Sequence, residues 1–131
     1  MKLKFLFILL IAGIAITSCS KDDDDHGHNE ITITFLSPAN GEEIEAGIKT
    51  IEVEFSATAS LHDIEIVLML KETESVVLDL GAHLHSQNHI LSETLDFSSF
   101  DSGTTFILKA EAQIEHDGDD VVSDQIEFSI Q

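Results

Sequence analysis

From Ile31 to the end of the chain, apolar side chains return at every second position and never settle into the three-to-four spacing of a helix. Ile31, Ile33 and Phe35 alternate with Thr32 and Thr34, and Ile51, Val53 and Phe55 alternate with Glu52 and Glu54. Phe106, Leu108, Ala110, Ala112 and Ile114 keep the same spacing. A period of two sends one set of side chains to a core and the other to water, so each segment reads as a half-buried strand. Seven such segments are expected, at 30–36, 49–58, 61–70, 76–80, 90–97, 104–114 and 121–130. In the third, Ile64, Ile66, Leu68 and Leu70 share one face while Val67 and Met69 make the other partly apolar, as in a central strand. Turn chemistry separates the segments: Ser37-Pro38-Ala39-Asn40-Gly41, Gly47, Lys71-Glu72-Thr73-Glu74, and the Asp117-Gly118 pair of a tight hairpin. The expectation is a single all-β domain over residues 30–131, a β-sandwich of about seven antiparallel strands.

The residues before this domain have a different character. Lys2 and Lys4 precede an apolar run over residues 5–16, the basic and apolar regions of a secretory signal peptide, and the run is too short to span a bilayer. It ends in Ile16-Thr17-Ser18-Cys19, with an aliphatic residue three places before a cysteine and a small residue directly before it. This motif resembles the lipobox of bacterial lipoproteins, which implies cleavage after residue 18 and acylation of Cys19. Acyl chains of that kind hold a protein to a membrane without a transmembrane helix. Ser20-Lys21 and the aspartates Asp22 to Asp25 follow, and they resemble the signal that displays lipoproteins of the Bacteroidota type on the cell surface. Residues 19–29 then form an acidic tether, which charge repulsion keeps extended. The implied location is the outer membrane, lipid-anchored and exposed at the cell surface.

Cleavage leaves 4 of the 6 Lys+Arg residues against 25 Asp+Glu, a formal charge of −21. Such a surface disfavours nucleic acid and anionic headgroups and attracts cations. The chain has no Arg, so the bidentate clamp for phosphate or carboxylate is missing, and it has no Trp or Tyr to stack on sugars, which disfavours glycan binding. Its only cysteine is Cys19, so the fold holds without a disulfide.

The order of segments is similar to the single immunoglobulin-like or fibronectin-III-like domains of Bacteroidota lipoproteins. The resemblance is carried by Leu36-Ser37-Pro38-Ala39-Asn40-Gly41, Ile51-Glu52-Val53-Glu54-Phe55, Gly103-Thr104-Thr105-Phe106-Ile107-Leu108 and the hairpin leading into Ile126-Glu127-Phe128. It implies an immunoglobulin-like winding and a location, but no activity.

That winding puts the chain start, the connections near 57–60 and 82–89, and the 115–120 turn at one pole. Six of the seven histidines, at 26, 28, 83, 85, 89 and 116, fall in those stretches, and His62 stands at the start of the strand that follows 57–60. The densest constellation is His83-Leu84-His85-Ser86-Gln87-Asn88-His89. If Ser86-Gln87-Asn88 forms a hairpin loop, His85 and His89 face each other with His83 two residues along, and three imidazoles on one face suit Zn²⁺ or Cu²⁺. The competing reading is a polar hairpin tip. His62, His116, His26 and His28 extend the candidate set. Calcium at Asp117-Gly118-Asp119-Asp120 is less favoured, because the spacing is not that of an EF-hand loop.

No nucleophile elbow, phosphate-cradling glycine loop or His-Glu-x-x-His helix is present, so the chain is expected not to be an enzyme. Two functions stand side by side. One is a surface binding module that captures a divalent transition metal at the histidine-rich pole, facing the membrane. The other is a structural or adhesion component of a cell-surface assembly with a protein partner and no metal.

Overall fold

Among residues 29–114 and 121–131, which the computed structural model describes, the chain forms six strands and no helix. They are β1 (Ile31–Ser37), β2 (Glu43–Ile44), β3 (Ile48–Leu70), β4 (Val76–Asp96), β5 (Thr105–Gln113) and β6 (Val121–Ile130). All join one sheet in the order β1-β3-β5-β6-β2, with β4 on the other side of β3. The β2–β6 pair is parallel and the others are antiparallel, so the sheet is mixed.

The all-β class expected from the periodicity is present, but the division into seven strands is not. The expected segments 49–58 and 61–70 are one strand, β3, and 76–80 and 90–97 are both parts of β4. The two long strands cross from one half of the molecule to the other side by side. The first half of β3 lies between β1 and the second half of β4; its second half lies between the first half of β4 and β5. Because each strand hydrogen-bonds to the other on both sides of the crossing, neither has to break into a loop there. The Ala57–Ser60 stretch survives as a bulge: β3 advances from Ser56 to Leu61 while β4 moves only from Asn88 to Ser86.

Just past the bulge the residues that face inward change. Ile51, Val53, Phe55 and Leu61 are buried before the change and Ile64, Ile66 and Leu68 after it, so the parity flips between Leu61 and Ile64. There the ladder shifts again, by one residue between Leu61 and Asp63, and an odd shift turns a period-two strand over. The sheet thereby curls, and both halves present their apolar sides to one core. Its centre is aromatic: Phe106 stacks on Phe128 with centroids 5.1 Å apart, and Phe97 meets Phe106 edge-on at 5.4 Å. Phe55, Phe97 and Phe106 have no exposed surface.

Candidate metal centre

His62, Asp63 and His83 meet just past the bulge. Asp63 on β3 is the ladder partner of His83 on β4 and, on its other side, of Gln113 on β5. Adjacent residues of a regular strand point to opposite faces, which would part His62 from Asp63. The register is irregular between Leu61 and Asp63, where β4 advances three residues, from Ser86 to His83, against two on β3. The local distortion lets the His62 ring and the Asp63 carboxylate meet.

The carboxylate joins two imidazoles. Asp63 Oδ2 lies 2.8 Å from His62 Nδ1, and Asp63 Oδ1 lies 2.9 Å from His83 Nδ1. The His62 side chain is buried, whereas Asp63 and His83 are more than half exposed. His62 Nε2 is buried as well, so Nδ1, on the Asp63 side, is the nitrogen an ion would reach. Hydrogen bonds first from His83 and then from His62 hold the Asp63 carboxyl below its ordinary value of 3.8, so it stays an anion into acid. One ligand atom from each residue fits in a group with every pair within 4.8 Å. Two imidazole nitrogens and a carboxylate oxygen so grouped make a donor set able to hold a metal ion.

A third ring stands beside them. His85 lies 5.1 Å from His83 and 5.7 Å from His62 between centroids, and the three rings are mutually close to perpendicular. His85 is exposed and borders the group.

The expected hairpin at Ser86-Gln87-Asn88 does not form. β4 runs straight through it, so His85 and His89 lie on the same strand and do not face each other across a ladder. His89 is half-buried opposite Phe55, on the other side of the bulge. The stretch stays extended because β3 runs beside it and offers partners on both sides of the bulge: Ser86 pairs Leu61 and Asn88 pairs Ser56. Gln87 Nε2 adds a bond to the Thr58 carbonyl at 3.1 Å, tying β4 to the bulge. Of the expected set, His62 and His83 come together, His85 adjoins them and His89 does not belong to the group. His26, His28, His116, Cys19 and Asp117 to Asp120 lie outside the described residues.

Asp63 is the residue that sequence reasoning undervalued. In the sequence it stands with Asp117, Asp119 and Asp120 as one of four acids at the histidine-rich end, yet it is the hub. The His62-Asp63 dipeptide was visible, but its meeting with His83 depends on a ladder between residues twenty apart.

Two shallow concavities lie elsewhere, of about 370 Å³ beside Leu70, Thr73, Phe100 and Thr105 and about 400 Å³ beside Pro38, Glu45, Lys49 and Gln131. Neither is lined by a histidine.

No protein-family model matches the chain, and no curated protein matches it. A crystal structure of an engineered protein is similar in fold, with a TM-score of 0.54 and 15% identity over 78% of this chain. The match spans 20% of that much longer chain, and at this identity the likeness concerns the fold alone.

Proposed function

We propose that this protein is a lipid-anchored surface protein whose β-domain captures a divalent transition-metal ion at the His62–Asp63–His83 corner without catalysing a reaction. The observation that carries this reading is the shared carboxylate, with one oxygen 2.8 Å from His62 Nδ1 and the other 2.9 Å from His83 Nδ1. Two nitrogens and one oxygen, with His85 adjacent as a further donor, suit Zn²⁺ or Cu²⁺ better than the oxygen-seeking Ca²⁺. The acidic surface raises the local cation concentration.

The anchoring half of the reading rests on the Ile16-Thr17-Ser18-Cys19 motif and the Asp22 to Asp25 run. It makes Cys19 the membrane attachment and the outer membrane the location. The curled sheet is read as an immunoglobulin-like sandwich whose inter-sheet connections stay extended. What supports this is the split pairing of β3 and β4, whose first and second halves serve different sides of the core.

Calorimetric titration of the full chain in detergent with Zn²⁺ and with Cu²⁺ tests the metal site. Micromolar or tighter binding that is lost in the His62→Ala/His83→Ala variant is expected. Binding no tighter than millimolar, or binding unchanged in that variant, ends the proposal.

A further inference from the structure

β4 has β3 along one side and, among the described residues, no element along the other. Open edges are commonly kept short, bulged, closed by proline or lined with charge, because a row of free N–H and C=O groups is a template for another strand. β1, at the opposite border of the sheet, has these protections: seven residues, a register shift between Phe35 and Ser37, and Pro38 immediately after. From Leu78 to His83, β4 has no proline and pairs with β3 in unbroken register. It carries one charged side chain there, Asp79.

The side chains along this stretch alternate in a way that is complementary to itself. Asp79, Gly81, His83 and His85 are exposed on the outer face, while Leu78, Leu80, Ala82 and Leu84 are half-buried on the inner one. We propose that a second copy of this chain pairs antiparallel with the 78–84 edge of β4, about a two-fold axis at Gly81. In that register Asp79 stands opposite the second copy's His83, and the symmetry repeats the pair on the other side of the axis. Leu80 meets Ala82 and Leu78 meets Leu84 on the inner face, so acid faces imidazole and apolar faces apolar throughout.

Charge selects the register. Two chains of formal charge −19 repel over most of their surfaces, so self-association needs a contact free of acid opposite acid. A register centred on Ser86 would set Asp79 against Glu93, whereas the Gly81 register sets it against an imidazole. Asp79 stands in an acidic neighbourhood: burial, and then Asp79 and Glu111, push the Glu65 carboxyl up. An imidazole from a second copy brings a complementary group to that patch. Gly81 leaves the axis without side chains, and a Cβ there would come within 3.3 Å of the Ile64 carbonyl oxygen. The contact is isologous, so it closes as a dimer, and the paired edges satisfy each other's backbone groups as in β-strand addition.

The test is sedimentation equilibrium of the full chain in density-matched detergent with a chelator present, so that the outcome is independent of metal binding. The wild-type chain is expected to be a dimer that Asp79→Lys weakens by at least ~10-fold, while Asp124→Lys, the same charge change on β6, leaves it intact. Hydrogen exchange on the wild-type chain needs no variant: amides in the 78–84 stretch are expected to slow as concentration rises. A chain that stays monomeric to about 100 µM, a range in which weak specific dimers form, overturns the proposal. A dimer indifferent to Asp79→Lys, or concentration-dependent protection on β1 and not on β4, overturns it as well.

Discussion

Asp63 and His83 stand opposite each other in the β3–β4 ladder, and the carboxylate that lies 2.9 Å from His83 Nδ1 reaches back along its own strand to His62 Nδ1 at 2.8 Å. The aspartate therefore orients both rings. Replacing it by Asn keeps the size and removes the charge, and Asp63 is exposed enough for the fold to tolerate the change. Asp63→Asn is expected to weaken Zn²⁺ or Cu²⁺ binding by at least ~10-fold, as losses of ligands and of their orienting partners do. Parallel calorimetric titrations measure it, with unchanged circular dichroism as the control.

Metal capture at this corner competes with protons. A neutral ring facing the carboxylate at these distances donates its Nδ1–H to it, and an ion can take that nitrogen only in the other tautomer, with the proton moved to Nε2. A ring that carries both protons must lose one to solvent, so Zn²⁺ affinity is expected to fall as the solution is acidified, and titrations at mildly acid pH in two buffers of different ionisation enthalpy are expected to show proton release. Affinity that does not respond to acidification would place the ion elsewhere.

The Asp63 contacts also leave a mark on acid stability. Its carboxyl is held below the ordinary value of 3.8, so its stabilising contribution is complete above that value and is lost as pH falls through the lower folded one. Denaturant midpoints of wild type and Asp63→Asn, compared without metal, are expected to differ at pH 5 and 7 and to converge only in stronger acid. Convergence already at pH 5 would contradict the shared hydrogen bonds.

The strands were legible in the sequence because Ile51, Val53 and Phe55 and then Ile64, Ile66 and Leu68 repeat with a period of two, and a local pattern reports local structure. The parity change between those two sets was legible too, and it marks where the strand turns over. What could not be read was that the chain stays extended through the intervening residues, paired with β4 at Ser56 on one side of the bulge and at Leu61 and Asp63 on the other. That depends on β4 crossing beside β3, which no local pattern encodes. For the same reason His83-Leu84-His85-Ser86-Gln87-Asn88-His89 resembled a hairpin tip: polar residues suit a turn, but an available neighbouring strand outweighs a weak turn preference. The candidate site was half visible: His62, Asp63 and His83 all fall at the histidine-rich end that the expected winding gives, but the ladder that joins Asp63 to His83 spans twenty residues and leaves no local mark.

Phe106 holds the two halves of the curled sheet on one core. It has no exposed surface and meets the rings of Phe97, Phe100 and Phe128 at 5.4, 5.0 and 5.1 Å. Truncation to alanine removes all three contacts and leaves a cavity, so Phe106→Ala is expected to destabilise the domain by about 3–5 kcal/mol. Denaturant unfolding followed by circular dichroism reads this directly. Phe100→Ala, at a partly exposed ring, is expected to be milder, and equal losses would mean that the core centre lies elsewhere.

Glu65 carries the opposite sign from Asp63. Burial, followed by its hydrogen bond with Asp79 and repulsion from Asp79 and Glu111, raises its carboxyl above the ordinary 4.5, against a smaller opposing pull from Lys109. The folded state therefore binds this proton more tightly than the unfolded chain. Stability falls as pH rises from 4.5 through the raised value, and above it the ionised Glu65 is a standing liability. Glu65→Gln keeps the size without the charge and is expected to raise the thermal midpoint at pH 7, with the advantage vanishing near pH 4. Thermal melts of the two chains across that range, at fixed salt, check the sign. A variant less stable than wild type at neutral pH would show that Glu65 acts as a needed hydrogen-bond acceptor rather than as a repelled charge. If the β4 edge pairs with a second copy, the added imidazole beside Asp79 relieves part of this repulsion, so the gain from Glu65→Gln is expected to be larger at protein concentrations below the dimer range.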